Sequence, residues 1–492
     1  MVYSYSMKKY VVIIDEGTTS TRVVLYDFVK KQIEKISALD ISQFYPNGYV
    51  EQDGNEIYAK TYSLLIEMLG SVNPLEVLSI SITNQRETII PFDKVTGDCV
   101  SHAIVWQCKR TAPYMLDIEK KYKSIIKEKT GLVCDSYFSA SKMAWLLKND
   151  EKVKRLFEQG RLYLGTVDSY LSYMLSNKKS FVTDTTNASR TMLFNINTLS
   201  YDEELLSIFG IDKSVLPSVI ASDETYGFFD YNGEKIPLCG IIGDQQSALL
   251  GQGCIEKGDG KATYGTGLFM LVNTGKEKDD GEGLLTDVAY TLNGETAYAL
   301  EGSAFNCGSA IKWLKNEMGL ISCESETERL SQSIEDSGGV YFVPAFNGLG
   351  APYWDSNARA TFSGIGRDST RAHIVRAVLE SLAYTALDLC ELMEKSGGKM
   401  TCLKVDGGAT KNDFLMGFQA DILGFSVDRA KEKESTAQGA GFVSLIGQKV
   451  ISLSDVKSLR ESDKIFKPTM NKSKRDELVL GYRKAIEKTL LH

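Results

Sequence analysis

The chain has 492 residues, of which 43% are hydrophobic and 24% charged; 56 basic against 64 acidic side chains leave a net charge of -8. That length exceeds what one hydrophobic core organises and predicts two domains of roughly 200–250 residues each, while the acidic balance argues against nucleic acid or an anionic membrane as the principal partner. Nine scattered cysteines with no C-x-x-C pair read as reduced core thiols of a cytosolic protein, and only three histidines (His102, His373 and His492) leave acid–base chemistry to carboxylates.

The N-terminal run ending at Asp15 is too short and too quickly charged for a signal peptide, and no stretch reaches membrane-spanning length. Residues 10–15 are β-branched and apolar and predict a buried strand. A small-residue turn, Glu16-Gly17-Thr18-Thr19-Ser20, follows, then a returning strand over 22–27. Apolar spacing predicts a helix over 56–69 and a strand over 77–82, followed by Asn84-Gln85-Arg86-Glu87-Thr88. Segment 89–100 reads as a hairpin around 94–97, and strand-like and helical stretches then alternate to about residue 250, the pattern of an α/β architecture.

The glycine-dense run 251–260 is the expected hinge, dividing the chain into domains 1–252 and 253–492. Beyond it, 261–274 reads as strand–turn–strand around Tyr264-Gly265-Thr266-Gly267. A long helix is predicted over 374–394, with Gly397-Gly398 as its stop. Residues 403–409 read as a strand running into a glycine turn, and a helix follows from about Asn412 to Gly424.

Several of these turns could carry chemistry. The Asp15–Ser20 turn with Arg22 offers backbone N–H groups, hydroxyls and a carboxylate at a strand end, the parts of a phosphate or Mg²⁺ site; an ordinary polar hairpin tip has the same composition. Asp244 ends the apolar run Ile241-Ile242-Gly243, where α/β sheets place ligands, and reads either as a general base or as a helix N-cap. Adjacent Arg86 and Glu87 can grip one ligand only on an irregular strand end, since neighbours on a regular strand face opposite ways; the alternative is a solvated surface pair. Trp106, Tyr137 and Phe269 are the nearest aromatics, and an aromatic in such a place is more often core than ligand wall.

Taken in order, the motifs resemble one family, the FGGY carbohydrate kinases. They include DEGTTSTR (15–22), ITNQRET (82–88), AIVWQCKRTA (103–112), YFSASKMAWLL (137–147), TDTTNASRTMLFNI (183–196), GDQQSALLGQ (243–252), TYGTGLFML (263–271), VPAFNGLGAPYWD (343–355), FSGIGRDSTRAHIVRAVLES (362–381) and VDGGATKNDFLM (405–416). The resemblance runs from about residue 9 to 485, and NQRET with VWQC and TNASRTMLFNI is similar to the glycerol branch rather than the xylulose, ribulose or gluconate branches. It implies a two-domain actin/hexokinase/Hsp70-like α/β fold with RNase H-like cores and an interdomain cleft. It also implies ATP, Mg²⁺ and glycerol as partners, a cytoplasmic location, and a homodimer or homotetramer. By the same resemblance Asp15 and Asp244 would handle Mg²⁺, and Thr18, Thr19, Ser20 and Arg22 the nucleotide phosphates. Arg86, Glu87, Tyr137, Asp244 and Gln245 would hold glycerol, with Trp106 and Phe269 on its carbons and Asp244 as catalytic base. Thr266, Gly308, Lys312, Gly408 and Asn412 would line the ADP or ATP site.

Three positions depart from the family pattern. Glu16 stands where Gln is more usual and adds a carboxyl beside the expected phosphates, predicting that it is paired or bridged by water. Lys312 replaces a Gln expected near adenine. Segment 228–235 lacks both the histidine phosphorylated in some relatives and the Gly-Gly-Thr-Arg loop that binds fructose 1,6-bisphosphate in others, so neither control is expected.

Overall fold

A computed structural model describes residues 8–278, 281, 283–304, 306–346, 348–353, 355 and 357–491. Asn347 and Trp354 of the 343–355 motif and His492 lie outside the described residues. The chain forms two compact units. One comprises residues 1–253, 286–298 and 434–459; the other comprises 254–285, 299–433 and 460–492. The first break falls one residue beyond the expected hinge position. Two later stretches, 286–298 and 434–459, return to the first unit, so the contiguous division at 252/253 does not describe the packing.

In chain order the elements that place the site are β1 (Tyr10–Glu16), β2 (Ser20–Asp27), β3 (Gln32–Asp40), α1 (Gly54–Gly70), β4 (Val77–Asn84), α2 (Ser139–Asn149), β5 (Thr225–Tyr231), β6 (Glu234–Gly243) and α3 (Asp244–Gly251). They continue with β7 (Gly260–Tyr264), β8 (Leu268–Gly275), β9 (Leu285–Leu292), β10 (Glu295–Ala304), α4 (Gly308–Asn316), α5 (Arg371–Gly397), β11 (Cys402–Asp406), α6 (Asp413–Leu423), β12 (Ser426–Ala430), α7 (Ser435–Gly447) and β13 (Ser462–Phe466).

The first unit's six-stranded sheet has the order β5-β6-β4-β1-β2-β3. The β1–β2 hairpin is antiparallel, β4 lies parallel to β1 and β6 parallel to β4, and β5 closes the edge antiparallel. The second unit repeats this plan: hairpin β7–β8, then β11 and β12 in parallel, then β13 antiparallel at the edge. Parallel strands need both faces covered, and the apolar runs supply this; Val11–Ile14 and Val77–Asn84 are buried along their whole length.

Each unit has its own hydrophobic core. That of the first unit joins Val12, Ile14 and Ile82 to Leu64 and Met68 of α1. That of the second joins Met270 and Val405 to the apolar stripe of α5 around Leu379, Leu382 and Leu389. The α5 helix stops where Gly398 takes a φ of 93°, the role expected of the Gly397-Gly398 pair. Among the cysteines, Cys108, Cys239, Cys254, Cys307 and Cys390 are buried, but Cys323 is exposed, which corrects the expectation of core thiols throughout. No helix among the described residues is long and apolar enough to cross a membrane.

Candidate active site

The register of the parallel strands brings three strand ends to one level in the first unit: Glu16 pairs with Asn84 and Asn84 with Gly243. The carboxyl ends of parallel strands are where open α/β sheets bind ligands. Asp15 therefore stands one residue short of the end of β1, Arg86 and Glu87 lie just past the end of β4, and Asp244 just past the end of β6.

Asp15 is buried, and its partner across the hairpin, Arg22, donates to its carboxylate and also to Glu434, the residue preceding α7. Burial raises the Asp15 pKa to about 6; the Arg22 guanidinium opposes this, and the Glu434 and Asp244 carboxylates reinforce it. A buried carboxyl with two acidic neighbours and one arginine has room electrostatically for more positive charge. The chemistry of the donor set, two hard carboxylates at strand ends, suits a Mg²⁺ ion that keeps water and phosphate oxygens as its other ligands. The tip between the strands is polar: Thr19 is exposed, Thr18 and Ser20 half-buried, and Gly17 N donates to Ser20 O (3.0 Å).

Asp244 is the first residue of α3, and Gly243 occupies the N-cap. The N-cap reading of Asp244 is thus replaced by one in which the carboxylate sits at the positive end of the helix and outside the cap. Its Oδ1 lies 3.2 Å from Arg86 Nε and accepts from the backbone N of Gln245 (2.7 Å). The Asp244 side chain is one-third exposed, and Gln245 beside it is half-buried.

The surface-pair alternative for Arg86 and Glu87 does not hold: they are 3% and 2% exposed. The irregular end that their adjacency required is present. Thr88 N donates to Arg86 O (2.8 Å), closing a three-residue turn on Glu87, whose φ is +61°. The turn brings Arg86 Nε to 4.0 Å from Glu87 Oε1, and Arg86 Nη1 donates to Gln246 (3.0 Å). Trp106 and Tyr137 are half-buried and meet edge to face, ring centroids 5.4 Å apart; Trp106 Nε1 donates to Thr18 Oγ1 (2.9 Å).

In the second unit the Tyr264–Gly267 turn presses against the start of α4, where Gly308 N donates to Gly265 O (2.9 Å). A side chain at Gly308 would put its Cβ 2.6 Å from that carbonyl, so the position requires glycine. Thr266 is exposed on the turn and Phe269 half-buried on β8. Gly408 follows Gly407 at the end of β11, Lys312 is exposed on α4, and Asn412 caps α6, accepting from Leu415 N (2.9 Å) while donating to Thr327 (3.1 Å).

Glu16 differs from its expected setting. It points into the core beneath the hairpin, fully buried, accepting from Thr61 Oγ1 of α1 (3.0 Å) through Oε2, while Oε1 has no partner among the described residues. Burial lifts its pKa to about 8 against the pull of the Thr21 and Thr61 hydroxyls, so at neutral pH it is a protonated acid that adds no charge beside the turn. Between its ordinary 4.5 and about 8 the folded chain holds a proton that the unfolded chain has released, so stability falls as pH rises through that window. Glu16→Gln removes this dependence. The variant is expected to be more stable than the parent at pH 8, by at most about 1.4 kcal/mol for each pH unit above the unfolded value, and closely matched at pH 4.5. Urea midpoints across that range, in chelator without nucleotide, check this; a constant difference would contradict it.

Residues 10–251 match the N-terminal domain model of the FGGY family of carbohydrate kinases, and residues 260–446 match its C-terminal domain model. The chain belongs to the FGGY family. The chain is 47% identical over 496 aligned positions to a glycerol kinase of Pseudothermotoga lettingae, covering 98% of this chain and 99% of that one. It is 46% identical to glycerol kinase 2 of Thermotoga maritima at the same coverage. A crystal structure of Plasmodium falciparum glycerol kinase with ADP superposes with a TM-score of 0.93 at 37% identity, covering 98% of both chains. A xylulose kinase from Lactobacillus acidophilus, 23% identical over 98% of this chain and 97% of its own, shares the fold with a TM-score of 0.85.

For this FGGY kinase the sequence reading missed Glu434, Gln246 and Arg190. Glu434 lies 412 residues from its partner Arg22, so no local pattern could join them. Gln246 lies in the GDQQ run (243–246), but only the fold turns it toward Arg86.

Proposed function

We propose that this chain phosphorylates glycerol from ATP, giving sn-glycerol 3-phosphate and ADP. The observation that carries this reading is the buried Arg86–Glu87 pair, bent onto one turn beside the Trp106–Tyr137 aromatic corner. A guanidinium and a carboxylate together supply donors and acceptors for vicinal hydroxyls, and aromatic faces cover a short carbon chain. The full-length similarity to proteins named as glycerol kinases supports the same substrate.

In this reading Arg86, Glu87, Tyr137, Asp244 and Gln245 hold the polyol and Trp106 packs on its carbons. Asp244 takes the proton of the terminal hydroxyl as that oxygen attacks the γ-phosphorus. The bond from phosphorus to the β-phosphate oxygen breaks, and ADP leaves. Arg86, its Nε 3.2 Å from Asp244 Oδ1, aims the carboxylate. Thr18, Thr19, Ser20 and Arg22 serve the phosphates; Thr266, Gly308, Gly408 and Asn412 serve the nucleotide. Mg²⁺, held by Asp15 and Asp244, would neutralise phosphate charge when bound. A site built to hydrogen-bond every hydroxyl rejects analogues lacking one by about 10⁴–10⁵-fold.

ADP release with glycerol, dihydroxyacetone, xylulose and ribulose tests this reading. Glycerol should give the highest kcat/KM. A higher value for xylulose or ribulose, or no ADP from any of the four, would refute it.

A further inference from the structure

We infer that Arg190 is a positioning residue that sets polyol recognition through Glu87 and Tyr137. This rests on the glycerol reading above. Arg190 follows the short helix Thr185–Ser189 and is fully buried. Its Nε donates to Glu87 Oε1 (2.6 Å), and its Nη1 donates to both carboxylate oxygens of Asp287 on β9 (2.7 and 2.8 Å). Its guanidinium carbon lies 5.5 Å from the Tyr137 ring centre and 5.1 Å from that of Phe138. One side chain therefore touches two of the groups assigned to glycerol.

Glu87 needs such a hold. A non-glycine residue at positive φ is strained, and Glu87, at φ +61°, persists there only because its surroundings fix it. Here Ser139 Oγ donates to the Glu87 carbonyl (3.1 Å), Thr88 N closes the turn, and Arg190 clamps the carboxylate. The loop that follows Arg190 is tied in turn to α2, where Ala140 N donates to Thr191 O (2.8 Å). Fold stability alone does not account for the cluster. Replacing a buried ion triad by apolar side chains is often neutral or stabilising, so Glu87–Arg190–Asp287 is a costly way only to fill space. Its geometry is accounted for if the aim of the Glu87 carboxylate is what it maintains. Arg suits this and Lys does not, because two carboxylates are held at fixed angles by one planar fork.

The test compares the parent with Arg190→Lys, Glu87→Gln and the double variant, using glycerol and propane-1,2-diol. Arg190→Lys should raise the glycerol KM by about tenfold or more and shrink the preference for glycerol over the diol by a similar factor, with the ATP KM within about twofold. In the Glu87→Gln background the same change should add little, because residues acting through one another are non-additive. Asp287→Asn, which loosens the clamp from its far side and keeps Arg190, should move the glycerol KM in the same direction, and it carries the test if Arg190→Lys does not fold. A folded variant with unchanged glycerol KM and unchanged preference, or effects that simply add to those of Glu87→Gln, overturns the positioning role. A parent chain that turns over no glycerol instead refutes the functional reading itself, and this inference falls with it.

Discussion

Asp244→Asn is expected to lower kcat with glycerol by about 10²–10⁴-fold, the usual cost of losing a general base, with a much smaller change in melting temperature. The side chain is one-third exposed, and the amide is isosteric with the carboxylate it replaces. It does lose the charge that faces Arg86 and cannot take the hydroxyl proton. It also removes one of the two carboxylates assigned to Mg²⁺, so the KM for Mg·ATP should rise alongside. A coupled ADP assay and a thermal melt on the same preparation separate the two effects. Near-normal turnover in a folded variant would remove Asp244 from the chemistry, and the role of base would then have no candidate at the end of β6.

Gly439→Ala should be among the most destabilising single-methyl changes in the chain. Helices α3 and α7 cross with their backbones in contact. A Cβ at Gly439 would stand 1.9 Å from Ser247 O and 2.9 Å from Gly251 N, and one at Gly251 would stand 2.0 Å from Ser435 O. Those neighbours are main-chain atoms, so no side chain can rotate away and the helices themselves must part. Overpacking typically costs 1–3 kcal/mol; a rigid backbone clash places this case at or above about 3 kcal/mol. The same crossing is pinned by Ser247 Oγ donating to Thr436 O (2.6 Å) and by Gln252 Nε2 donating to Ser435 Oγ (3.0 Å). Because α3 begins at Asp244 and α7 follows Glu434, separation should lower kcat as well as the urea midpoint. Gly417→Ala is the control: it sits in α6 with nothing within 4 Å of its new methyl, and it should be neutral or stabilising by up to about 1 kcal/mol. Equal losses in both variants would show that helix crossing is not the cause.

Much of the scaffold was legible because its signals are local. The β-branched run of β1, the small-residue hairpin tip, the stop at Gly398 and the Asn412-to-Gly424 helix each announce themselves within a few residues. The bend at Arg86 and Glu87 was legible by a subtler route, since two adjacent opposite charges can share a ligand only off a regular strand. Non-local pairing escaped. Glu434 reaches Arg22, Asp287 reaches Arg190, and Ser444 bonds Ser79 across 365 residues (2.6 Å). None of these has a periodicity to betray it. Glu16 was misjudged because its direction depends on the register of β1 against β2 and on the threonines of α1, which composition does not carry. The close approach of α7 does have a local signal: glycines at 439 and 441 inside a largely buried helix mark a backbone contact.

The return of residues 434–459 to the first unit has a consequence for biosynthesis. On a ribosome the strands β1, β4 and β6 emerge long before α7, which covers Ile13 and Tyr26 and receives the Ser81 hydroxyl at Ala440 O (2.8 Å). For the time needed to translate some 180 further residues, at about 5–20 residues per second, the nascent first unit waits with one face of its central sheet bare. Chains released early by truncation or stalling before residue 434 would keep that face exposed, which makes them clients for chaperones and proteases rather than shortened enzymes.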